Sequence, residues 1–115
     1  MKQTYFKHAF GKATALAILF GAATHAAALD ADGVQALMRK SDCFKCHAVD
    51  KKKDGPMYKE VAAKYKDKPD AEQKLYTHLT TNPKVEVDGK KEEHTSLKTK
   101  NEPDVKDVVK WILSR

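Results

Sequence analysis

Two cysteines, three methionines, one tryptophan and two arginines are all that this 115-residue chain holds of those four residue types, and each shortage excludes something. With Cys43 and Cys46 alone, no second C-x-x-C and no paired-histidine cluster completes a four-ligand structural zinc site. Alternating β-branched runs are almost absent, so the strands and βαβ crossovers of a thioredoxin-like dithiol protein have little to be built from. Aromatic residues make up 8% of the chain and charged residues 33%, which leaves a marginal apolar core for a domain of this size. No methionine lies beyond Met57.

What is present is the run Cys43-Phe44-Lys45-Cys46-His47. C-x-x-C-H is the attachment pattern of a c-type haem: two thiols spaced to add across the two vinyl groups of one porphyrin, then an imidazole to ligate the iron. A plain disulfide is the simplest alternative, and it leaves the adjacent His47 unexplained. A buried haem would also supply the apolar core that the chain lacks.

The first 28 residues have the pattern of a cleaved export signal. Lys2, Lys7 and Lys12 form a basic start without acids, Ala13 to Ala23 is apolar apart from Thr14 and Gly21, and Ala26-Ala27-Ala28 is a small-residue cleavage site. The apolar stretch is shorter than the roughly 20 residues that span a bilayer, so no retained anchor is expected. The mature domain would run over residues 29–115, starting at Leu29. The 22 basic residues become 19 against an unchanged 16 acids, and the net charge falls from +6 to +3. In bacteria haem is attached outside the cytoplasm, so the signal and the C-x-x-C-H run agree on a periplasmic location. His8 and His25 leave with the signal.

Helical periodicity dominates the rest. From Asp30 or Asp32 as a cap, Val34, Leu37 and Met38 form an apolar stripe leading into Cys43. A second helix is expected from Met57 to Tyr65, and a third opens at Pro69-Asp70, carries Leu75, Tyr76 and Leu79, and stops before Pro83. The last has Pro103 in its first turn and a stripe of Val105, Val108, Val109 and Ile112, flanked by Trp111 and Leu113. Val85 to Val87 is expected to be loop.

These stations together resemble a small bacterial class I cytochrome c over the whole mature chain: a helix into Cys43-x-x-Cys46-His47, the run Gly55-Pro56-Met57-Tyr58-Lys59-Glu60-Val61-Ala62-Ala63-Lys64-Tyr65, a middle helix near Leu75 to Leu79, and a closing helix through Val109-Lys110-Trp111-Ile112-Leu113-Ser114. The resemblance implies an all-α class I cytochrome c fold, three to four helices and loops around one covalently bound haem c. It implies that the first and last helices cross, with Gly33 permitting close contact near Trp111. It further implies that the Pro56 carbonyl accepts the Nδ1 proton of the proximal His47.

The family usually closes the second axial position with a methionine ahead of the last helix, and this chain has none there. Met1 is the initiator, Met38 lies on the first helix, and Met57 follows Pro56 on the proximal side. His94 stands 17 residues before Trp111, close to the family methionine's spacing, and is the candidate sixth ligand. His78 on the middle helix, a lysine, or an open or water-bound site are the alternatives.

Two imidazoles should hold a lower potential than imidazole and thioether. The expectation is therefore a periplasmic, low-potential, His/His-ligated monohaem electron carrier and not an enzyme. A haem subunit of a larger periplasmic oxidoreductase is one alternative. Peroxidase- or reductase-like chemistry at an open distal site is another, and with Arg39 and Arg115 the only arginines, none is evidently placed to assist it. Lys51 to Lys53, Lys90-Lys91 and Lys98 to Lys100 suggest a lysine-rimmed haem edge for an acidic redox partner. Asp50, Asp54, Glu92 and Glu93 interleave with these lysines and the mature charge is modest, so an ordinary solvated surface is the alternative. Nucleic acid is not expected, because the signal lysines inflate the basicity of the full chain and exported haem proteins seldom meet it. A monomer or loose oligomer is expected.

Overall fold

The computed structural model describes residues 27–115. The expected export signal, residues 1–28, lies outside them except for its last two residues. Among the described residues no helix is long and apolar enough to cross a membrane.

The order is α1 (Ala31–Lys40), α2 (Cys43–Cys46), α3 (Tyr58–Tyr65), α4 (Ala71–Thr80), β1 (Lys84–Val87), β2 (Lys90–Glu93) and α5 (Glu102–Leu113). Asp30 caps α1 by accepting the N–H of Gly33. Pro103 occupies the first turn of α5, where its missing N–H costs no intrahelical bond. The core gathers on α5: Val105, Val108, Val109, Trp111 and Ile112 are buried and pack with Val34 and Met38 of α1, Tyr58 of α3, Leu75 and Leu79 of α4, and Leu97. Helices α1, α3 and α4 all contact α5, so one amphipathic helix holds the other three in register.

Three expectations change. The first helix does not run into Cys43: α1 stops at Lys40, Asp42 takes a left-handed backbone (φ 63°), and Cys43–Cys46 forms a separate short turn, giving five helices among the described residues. Gly33 does not make room for Trp111, since a Cβ there would meet Leu29 and Asp30 instead. Residues 85–87 are a strand: β1 pairs antiparallel with β2, Lys84 opposite Glu93 and Val87 opposite Lys90. The turn between them is Asp88-Gly89, with φ of 49° and 76°, the doubly left-handed geometry that two-residue hairpins favour.

Candidate functional site

On one side of the site, α2 carries Cys43 and Cys46 three residues apart on a single helical turn, half-buried and exposed respectively. Burial pushes the Cys43 thiol up. The helix ends as His47 turns extended, its N–H still bonded to the Cys43 carbonyl, which sends the imidazole away from the helix axis. His47 Nδ1 lies 2.8 Å from the Pro56 carbonyl and donates to it, fixing the tautomer that leaves Nε2 with a free lone pair. Tyr58 stacks on the imidazole at 5.2 Å between centroids and 26° between planes, and itself meets Trp111 edge-on at 5.6 Å. Gly55 donates its N–H to the Cys46 carbonyl at 2.8 Å. A Cβ on Gly55 would fall 2.7 Å from His47 Nδ1, so only glycine lets this loop close over the ring.

On the other side, His94 directly follows β2. Its N–H donates to the Pro83 carbonyl at 2.8 Å, closing the base of the hairpin. The ring is half-buried, and burial first, then the neighbouring His78 and His47, push its pKa down to about 4. It is therefore neutral at pH 7, the form that ligates metal. Its Nδ1 is buried with no hydrogen-bond partner among the described residues. A buried polar atom left so costs about 1–3 kcal/mol, and binding a metal or a polar cofactor group is a way to satisfy it.

The two rings are neighbours: His47 and His94 centroids are 6.1 Å apart, tilted by 51°. Two imidazoles bound through nitrogen on opposite sides of one metal ion at about 2 Å each place their centroids about 6 Å apart. The separation of the pair matches that spacing. His78, the alternative ligand on the middle helix, is half-buried on α4 with its centroid 4.3 Å from His94. Burial, then His47 and Lys64, lower its pKa. The structure thus brings together Cys43, Cys46, His47, Pro56 and His94, and adds Gly55 and Tyr58 against His47, two residues that stood within the quoted run and were recognisable as motif positions.

A family model described as Cytochrome c matches residues 31–115. Cytochrome c-552 of Nitrosomonas europaea is 51% identical over 35 residues, 30% of this chain and 34% of that protein. Cytochrome c-551 of Pseudomonas aeruginosa is 42% identical over 45 residues, 39% of this chain and 43% of that protein. These matches span less than half the length of either curated relative. Among solved structures, class 1 cytochrome MtoD from Sideroxydans lithotrophicus ES-1 is 50% identical with a TM-score of 0.70, covering 76% of this chain and 97% of that one. Cytochrome c552 of Nitrosomonas europaea is 30% identical with a TM-score of 0.55, covering 70% and 96%.

Proposed function

The chain belongs to the cytochrome c family, a small class I member with one covalently bound haem c, and from that premise we propose an exported, His/His-ligated, low-potential one-electron carrier. The observation that carries the proposal is the neighbouring pair His47 and His94, with centroids 6.1 Å apart, in a chain with no methionine after residue 57. When bound, haem supplies the ferric/ferrous couple. The residues do the rest. Cys43 and Cys46 hold the porphyrin covalently. His47, its Nδ1 proton engaged by Pro56, would offer the Nε2 lone pair to the iron. His94, kept neutral by burial, would supply the second nitrogen ligand and so limit the access of small ligands, which favours electron carriage over turnover.

The periplasmic location rests on the signal pattern of residues 1–28, and one contact supports a start at Leu29. The Leu29 N–H donates to the Asp107 carboxylate at 2.8 Å. Cleavage before Leu29 turns that nitrogen into an ammonium and the contact into an ion pair joining the head of α1 to α5.

Docking is assigned to the lysines around the site. Lys45, Lys74, Lys98 and Lys106 are each paired with an acid. Exposed Lys51, Lys52, Lys90 and Lys91 make no ion pair among the described residues and remain available to an acidic redox partner, whose association rate should fall with added salt.

The decisive experiment is electron paramagnetic resonance and optical spectroscopy of the ferric holoprotein. We expect low-spin bis-imidazole signals, no sulfur-to-iron charge-transfer band, conversion to high spin in His94→Ala, and a raised reduction potential in His94→Met. A high-spin wild type that binds carbon monoxide or cyanide at once would overturn the reading.

A further inference from the structure

Ser41 is the one buried polar residue among the described residues, 1% exposed. It closes α1, its N–H bonded to the Leu37 carbonyl, and its Oγ accepts the peptide N–H of Lys98 at 2.9 Å across 57 residues of sequence. Lys98 stands four residues after His94, at the far end of the segment that carries the candidate sixth ligand. The other backbone tethers of that segment run to α4 and its exit: His94 N–H to the Pro83 carbonyl at 2.8 Å, Leu97 N–H to the Leu79 carbonyl at 3.0 Å, and the Asn82 N–H to Ser96 Oγ at 3.2 Å. Ser41 alone among these ties the segment to the α1–α2 side, where Cys43, Cys46 and His47 lie. The side-chain pair of Lys98 with Asp42 spans the same gap at 2.8 Å, but both partners are exposed to water and such pairs hold weakly.

We propose that Ser41 is a positioning residue for the distal ligand: its buried hydroxyl, by holding the Lys98 peptide, keeps His94 over the iron. The proposal rests on the His94 reading above. Without the hydroxyl the 94–98 segment stays attached to α4 but no longer to the haem-binding helix, and the state with His94 detached becomes more populated. An outside ligand samples that state, since it occupies only a position the imidazole has left. In that exchange a nitrogen–iron bond breaks, a ligand–iron bond forms, and the iron stays ferric.

The test is the second-order rate of cyanide binding to the ferric holoprotein, followed optically where the rate is proportional to cyanide, in wild type, Ser41→Ala, Lys98→Ala and Val108→Ala. Ser41→Ala should remain low-spin at rest but bind cyanide roughly five- to tenfold faster, the scale of one lost buried hydrogen bond. Lys98→Ala keeps the peptide N–H and should stay within about twofold of wild type. Val108→Ala removes a fully buried side chain of α5, lowers stability at least as much, and should leave the rate equally unchanged. An unchanged Ser41→Ala rate, or an equal acceleration in Lys98→Ala or Val108→Ala, overturns the assignment. A wild type that is not low-spin bis-imidazole overturns the His94 reading itself, a distinct result.

Discussion

On the His47 side, the groups that fix the imidazole are close in sequence. Pro56 takes its Nδ1 proton from nine residues away, Gly55 closes over the ring, and Tyr58 stacks on it. On the His94 side, the groups that place the segment come from α4, from Pro83 across a hairpin, and from Ser41 57 residues away. The proximal half is therefore a local motif that closes at little loop entropy, whereas the distal half exists only once the helices have assembled. Damage to the first should be blunt and confined to His47. Damage to the second should be graded, because several tethers share the load.

The largest break should come from Leu97→Ala. Leu97 is 7% exposed and anchors the distal segment in the core, with its N–H on Leu79. Truncation should cost about 2–4 kcal/mol, read as a lower urea midpoint, and should also raise the rate of exogenous ligand binding. If stability falls while that rate is unchanged, the distal segment is not held by its tethers in the way the contrast requires.

Two glycines sharpen the contrast because they fail for different reasons. Gly55 has an ordinary φ but no room, so Gly55→Ala must displace His47 or the loop over it, at about 1–3 kcal/mol and with an altered ferric spectrum. Gly89 has open space around it but a φ of +76°, so Gly89→Ala pays only backbone strain, about 1 kcal/mol, and should leave the His47 environment untouched. Thermal midpoints together with ferric spectra of the two variants decide whether the two sides fail independently.

Legibility in the sequence follows the same division. Cys43 to His47 and Gly55 to Tyr65 were readable as motifs because the chemistry fixes their spacing, and the stripe on α5 was readable because one helix buries one face. The hairpin was not foreseen, although Asp88-Gly89 is a strong turn signal, because β2 is Lys90-Lys91-Glu92-Glu93 and shows no apolar alternation. His94 was reached by the absence of methionine and by spacing. That His78 packs on His94 and that Ser41 holds the Lys98 peptide was not legible, since contacts between α4, the C-terminus of α1 and the 94–98 segment depend on how the helices pack on α5. The break at Asp42 was equally invisible: the stripe of α1 reads as running up to Cys43 until the left-handed residue is seen.

That residue offers the smallest effect and the finest test, since Asp42 precedes Cys43 on the proximal side and reaches Lys98 on the distal one. Hydrogen bonds from Lys98 and then Lys45 hold its carboxyl below the usual range. A carboxyl whose folded pKa is depressed contributes its stability above the unfolded value, about 3.9, and loses it as pH falls through the folded value. Asp42→Asn removes the charge while keeping a side chain that tolerates the left-handed backbone, so the ion pairs are deleted without adding strain. The expected result is a slightly lower thermal midpoint than wild type at pH 7, a difference that shrinks in added salt and vanishes once the pH falls below the lowered folded value. A difference that persists in acid would mean that the Asn alters the turn into Cys43, placing its effect on the proximal motif instead of on the link between the two sides.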